Sequence, residues 1–202
     1  MLRLTTAFLA LVLASGCAPT TAFVELPPGP PAQRPEWKAG YQWSYVSTVT
    51  AKRDPDVTTV LGEKEFRGVA CWELSEGATE RAYVTKETLS LRGRMLTDGR
   101  LLTLADPDQL TYRWPLEVGK RWSGRWATRD GSQDSAEVRV VAYELIKVPA
   151  GEFKAYHVVH RLGNGYLREY WFAPEVRYLA KLRLHQSDGS IVDYDLQRYR
   201  LD

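Results

Sequence analysis

The chain has 202 residues, 44% of them hydrophobic and 26% charged, enough apolar side chain to bury a core in one domain or two small ones. Its 27 Lys and Arg against 25 Asp and Glu give a formal net charge of +2, without blocks of like charge. That balance argues against a nucleic-acid binder held by counterion release, and no nucleic-acid partner is expected.

The N-terminus reads as an address. Met1–Arg3 carries one positive charge, and Leu4–Leu13 is almost entirely apolar. As a helix those residues reach about 15 Å, half of a bilayer core, which suits a signal-peptide h-region and not a spanning segment. The run ends in Leu13-Ala14-Ser15-Gly16-Cys17, small residues and then a cysteine. This resembles the lipobox of bacterial lipoproteins. The resemblance implies cleavage before Cys17, diacylglycerol on its thiol and an acyl chain such as palmitate on the new amine. The usual Leu three positions before the cysteine is Ala14 here, with Leu13 one step earlier. A non-acidic residue after the cysteine, Ala18, goes in such proteins with outer-membrane sorting and a periplasmic outlook. The expected division is a signal peptide over 1–16, a lipidated Cys17 with a tether over 17–35, and a domain over 36–202.

Ala18–Pro35 holds six prolines in eighteen positions. Proline removes the backbone donor, so this stretch is expected to run as an extended tether of about 3 Å per residue. With Cys17 acylated, Cys71 is the only other thiol, and no intramolecular disulfide forms. Cys71 lies in the apolar run Val69-Ala70-Cys71-Trp72, which predicts an inert buried thiol.

From Glu36 onward, short runs rich in Val, Thr, Tyr and Trp alternate with Gly, Asp-Gly and Pro turns. Seven Trp, eleven Tyr and five Phe add to a strand composition. The two halves, about 36–110 and 111–202, look alike. Gly40-Tyr41-Gln42-Trp43-Ser44 answers Gly119-Lys120-Arg121-Trp122-Ser123, and Val60–Trp72 answers Val141–Tyr156. Ala82-Tyr83-Val84 answers Tyr170-Trp171-Phe172, and Thr97–Leu102 answers Ser187–Val192. Preserved order at four points favours a duplication. The predicted fold is all-β and antiparallel, internally duplicated, a curved sheet or open barrel of about twelve strands, with a sandwich left open. Two similar curved sheets side by side is the first choice.

The last hairpin can be registered from its chemistry. A three-residue Ser187-Asp188-Gly189 loop pairs Leu184 with Val192, Leu182 with Tyr194 and Ala180 with Leu196. It also sets Arg183 opposite Asp193 and Lys181 opposite Asp195, both expected on the solvent face. Around Asp98-Gly99 the register stays open.

The second half carries Trp114–Trp122, then Val148-Pro149-Ala150-Gly151-Glu152-Phe153, then Tyr170-Trp171-Phe172-Ala173-Pro174-Glu175-Val176. In this order the motifs resemble a diffuse group of exported bacterial β-proteins and lipoproteins without an assigned function. The resemblance covers about 112–185 and implies export and a β-rich fold, but no activity and no site residues. Where that group's pattern has glycine after the last motif, this chain has Arg177.

Neither a nucleophile elbow, HExxH, P-loop, GxGxxG-helix unit nor CxxC pair is present, so the sequence calls for no cofactor. Gly163-Asn164-Gly165 reads as a hairpin turn. His157 and His160 fall on opposite faces of a strand, which argues against a shared metal. One patch stands out: alternation places Arg121, Arg125 and Arg129 on one face, with Trp122 and Trp126 on the other. These arginines form a candidate contact for an anion or partner, or else a solvated row backed by core tryptophans. The expected function is non-enzymatic: a membrane-anchored envelope protein that binds or scaffolds an envelope protein, lipid or glycan. A carrier of a hydrophobic ligand in the concave sheet is the alternative, and a cell-wall or glycan enzyme the third reading.

Overall fold

The computed structural model describes residues 23–47 and 56–202. Among them are thirteen antiparallel strands in one sheet and a single 3-10 turn at Pro174–Val176. Six strands form a first meander: β2 (Gln42–Ser47), β3 (Asp56–Phe66), β4 (Val69–Glu76), β5 (Glu80–Thr85), β6 (Leu91–Leu96) and β7 (Leu101–Leu104). Six more form a second: β8 (Arg121–Ala127), β9 (Gln133–Val148), β10 (Gly151–Leu162), β11 (Leu167–Ala173), β12 (Tyr178–His185) and β13 (Ile191–Arg200). The meanders join edge to edge where β13 pairs with β2. The result is one continuous sheet rather than two.

Laid flat, twelve strands would hold β7 and β8 about 50 Å apart. Instead Asp106, two residues beyond β7, exchanges two backbone hydrogen bonds with Ala127 at the end of β8, 3.0 and 2.8 Å. The sheet is therefore rolled up, and among the described residues this one bridge between β7 and β8 stops short of closing a barrel.

The duplication is written in the backbone. The Gly40 N–H donates to the Val60 carbonyl and the Val60 N–H to that of Tyr41. In the second half Gly119, Val140 and Lys120 repeat both bonds. Gly40 and Gly119 have φ of 92° and 90°, which glycine accepts without strain. Leu61 and Val141 each bulge out of the ladder that follows. Leu89 and Arg177 both take φ of 57° in the turns after β5 and β11. The match corrects the sequence alignment by one residue: Val60 corresponds to Val140, because Val141 is the bulge. At Arg177 a left-handed conformation is held without glycine, its guanidinium bonded to the Glu36 carbonyl and the Tyr41 hydroxyl.

Residues on one face of nearly every strand join a single buried cluster. The connection between the meanders crosses this interior. Tyr112 and Leu116 are 3% and 0% exposed, and Tyr112 contacts Tyr170, Phe172 and Trp114 with ring centroids 5.3–6.3 Å apart. Large indoles fill the roll and need partners for their N–H groups. They find them at turns: Trp37, Trp43, Trp114 and Trp122 donate to the carbonyls of Arg177, Val176, Thr88 and Leu110.

The terminal hairpin has the expected register from Lys181 to Leu184, while the expected pair of Ala180 with Leu196 falls outside the ladder, Ala180 being the bulge opposite β11. Lys181 pairs with Asp195, Leu182 with Tyr194, Arg183 with Asp193 and Leu184 with Val192. The open register at Asp98-Gly99 is the same three-residue loop. Leu96 bonds Arg100 as Gln186 bonds Ser190, with Gly99 and Gly189 at φ of 90° and 82°.

Two further expectations change. The tether expected to reach Pro35 is laid on the sheet from Phe23 onward. β1 (Phe23–Glu25) pairs with β9, and Ala32 forms a bridge with Leu116. The reason is local: Phe23-Val24-Glu25-Leu26 lies between prolines and can donate to an edge, while the prolines beyond need only an extended path. The second change concerns Lys181, expected on the solvent face but fully buried.

Candidate functional site: an ionic and aromatic row on the outer face

Opposite the interior, register brings His157, Trp171, Lys181 and Asp195 into one cross-strand row over β10–β13. Glu169, Arg183 and Asp193 form the row beside it. Neighbours such as Tyr156 and Val158 face inward, 1% and 0% exposed. Trp171 lies at the centre, 1% exposed, and its indole donates to Glu144 at 2.6 Å. His157 stacks on it at 4.3 Å, and the Phe23 ring of β1 stacks on it at 5.2 Å. The Arg183 guanidinium stands 6.0 Å from the Phe23 ring and 5.8 Å from Trp171.

The charges close on each other. Lys181 Nζ donates to Asp195 at 2.6 Å and to Asp193 at 2.8 Å, and Arg183 grips Asp193 with two nitrogens at 2.7 and 2.9 Å. Glu169 takes His157 Nε2 on one oxygen at 2.7 Å and His185 Nε2 on the other at 2.6 Å. His157 Nδ1 lies 3.4 Å from Glu144. Bonding to His157 holds the Glu169 carboxyl down at about 2 against the pull of burial, with His185 adding to the effect. Burial alone would lower the His157 pKa, but Glu144 and Glu169 outweigh it and raise it above the usual imidazole value. These paired charges, with Glu144 on β9, tie five strands together. None of the carboxylates in the row sits in a cleft as an unpaired base.

Of the residues singled out in the sequence, Cys17 lies outside the described residues. Arg121 and Arg125 are exposed on β8, with Trp122 and Trp126 buried behind them. Arg121 stands directly opposite Arg139, which joins the patch. Arg129 leaves the row: β8 ends at Ala127, and the Arg129 guanidinium donates to the Leu101 carbonyl at 3.0 Å, across the seam between β7 and β8. His157 and His160 do point apart. His160 is fully buried beside Tyr170, its pKa pushed down to about 4 by burial. Cys71 is buried too, and burial pushes its thiol up to about 11.

The sequence reading missed the outer row because Glu144, His157, Glu169 and His185 come together only through strand register. The part that strand alternation did signal was the pairing of Arg183 with Asp193 and of Lys181 with Asp195. A hollow of about 520 Å³ lies between the β5–β6 turn and Asp106–Leu110. There Asp108 accepts from Thr85 and Thr88, and Arg92 bonds Ala105 and Asp106, so its polar lining is largely self-satisfied.

No protein-family model and no curated protein matches the chain. Two solved structures are similar to it. One is a candidate lipoprotein from Parabacteroides distasonis, 12% identical, covering 85% of this chain and 100% of its own, with a TM-score of 0.40. The other is a candidate exported protein with a YmcC-like fold from Bacteroides fragilis, 14% identical, covering 84% and 99%, with a TM-score of 0.43.

Proposed function

We propose that this protein is a lipid-anchored component of the bacterial cell envelope whose β-domain binds or scaffolds another envelope component without catalysis of its own. The anchor is Cys17, held in the outer membrane with the domain facing the periplasm. The lipobox-like run before Cys17 supports the anchor, and Ala18 supports the outer-membrane address. One observation carries the choice of a binding body over a lipid carrier: the concave side of the sheet is occupied by the chain itself. Tyr112, Trp114 and Leu116 of the connection fill it against Tyr170 and Phe172. The outer contacts left to a protein or glycan partner are Arg183 and His185, the half-exposed edge of the ionic row, and the exposed Arg121, Arg125 and Arg139 patch. Native mass spectrometry of protein extracted from membranes tests this. The expected mass is the acylated polypeptide alone; a second, co-purified lipid in stoichiometric amount would turn the reading to a carrier.

A further inference from the structure

The docking of β1 has a consequence for where the body sits. From Phe23 to Trp37 the chain is fastened to the fold at several points. The Leu26 N–H donates to the Tyr143 carbonyl at 2.8 Å, Gly29 lies against the Tyr143 ring, and the Tyr156 hydroxyl donates to the Pro30 carbonyl. Ala32 exchanges two bonds with Leu116, and Trp37 is 3% exposed. Only Ala18–Ala22 then separates Cys17 from the body. Six Cα steps span at most about 22 Å, whereas a free tether to Glu36 would reach about 60 Å. The headgroup layer takes up roughly 6 Å of that span, so little water fits between bilayer and protein.

We infer that the end of the sheet formed by β1 and the β9–β10 tip rests on the surface of the bilayer that holds the anchor. The inference builds on lipidation of Cys17. Phe23 pairs with Ile146, two residues before the end of β9, so the anchored segment enters the fold beside this tip. Its surface has the chemistry of an interface. Phe23 and Val24 are 36% and 52% exposed. Lys147 and Lys154 are exposed beside them, Lys147 at 3.4 Å from Glu152. The Ala150 N–H donates to the Leu196 carbonyl, and Phe153 meets the half-exposed Tyr199 ring at 6.0 Å, which draws a further interfacial side chain to the same end. Ammonium groups suit lipid phosphates, while tyrosine and apolar side chains suit the boundary just below them.

Neutron reflectometry of the full, acylated protein in a supported bilayer of phosphatidylethanolamine and phosphatidylglycerol tests the seating. Protein density should begin within about 20 Å of the headgroups. A Gly/Ser segment of about 20 residues inserted between Ala18 and Pro19 should leave it there, because contact and not chain length holds the body down. Adding Val24→Glu, Lys147→Glu and Lys154→Glu to that insertion should lift the body by tens of Å. A wider gap in the unaltered protein, or lift-off with the insertion alone, overturns the seating while leaving the anchor intact. Density at the surface that survives the three substitutions points to a different contact end and likewise overturns it. Loss of all protein after a high-salt wash refutes the anchor, and the seating with it.

Discussion

The two halves share a backbone and differ in what covers it. In the first, Glu73, Tyr83, Gly93 and Leu104 stand in one outer row; in the second, His157, Trp171, Lys181 and Asp195 take the same places. The first row is part of a small apolar cluster. Phe66 stacks on Tyr83 at 4.3 Å with the rings 7° from parallel, over buried Cys71. It fits because Gly93 has no side chain: a Cβ there would lie 2.7 Å from the Phe66 ring. The second half puts Lys181 where Gly93 stands, and its covering ring, Phe23, comes from β1 instead of its own meander. One sheet thus supports an apolar outer patch in one half and an ionic one in the other. Backbone pairing fixes the fold, and the side chains on its outer face are free to differ.

The largest test of that contrast is Lys181→Ala. It leaves Asp193 and Asp195, each with a side chain 13% exposed, beside a buried void, and should cost about 3–5 kcal/mol in denaturant unfolding. A cost below about 1 kcal/mol would mean the ionic row is ornamental. Strand alternation places these pairs on the solvent face, which the burial of Lys181 corrects. Next come the covering rings. Phe66→Ala should cost about 3 kcal/mol, since Phe66 is 7% exposed, and Phe23→Ala, at 36%, nearer 1 kcal/mol. Phe23→Ala should also open Trp171 to acrylamide quenching, which Phe66→Ala should not do.

A matched pair checks the equivalence of the halves. Gly99→Val and Gly189→Val each place a β-branched residue at positive φ, where a Cβ meets nothing within 4 Å. Both should cost about 1–3 kcal/mol from backbone strain alone, and by similar amounts. Widely different values would show that the turns are not equivalent.

The smallest effect is on pH dependence, which belongs to the second half. With its folded pKa raised above 6.5, His157 stabilises fully below about pH 6.5 and loses that contribution as the pH climbs through the folded value. Glu169, lowered from 4.5 to about 2, contributes above about pH 4.5 and loses it as the pH falls toward 2. Stability should therefore decline as the pH rises from about 6.5 through the folded value of His157. Urea midpoints of His157→Gln should lose that slope, while Glu73→Gln in the first half should keep it.

Much of the fold was legible. Strict alternation of Leu with Lys and Arg registered the last hairpin, and the Gly-x-x-Trp, Asp-Gly and aromatic motifs exposed the duplication. What escaped depended on distance in sequence. β1 is three residues between prolines, too short to show a period, and it becomes a strand only because β9 offers it an edge. Lys181 reads as solvent-facing in any alternating strand; its burial follows from the two aspartates and the Trp171 ring around it. The connection around Tyr112 gave no sign of crossing the interior. The candidate site was the least legible part, since its four His and Glu residues belong to three hairpins.

The proposed role requires the β-body to be held on a membrane through Cys17. Fractionation of cells expressing Cys17→Ser tests that most directly. The substituted protein should leave the membrane fraction and appear, folded, in the soluble extract. If it stays with the membranes after a high-salt wash, the anchor is not Cys17 and the account fails.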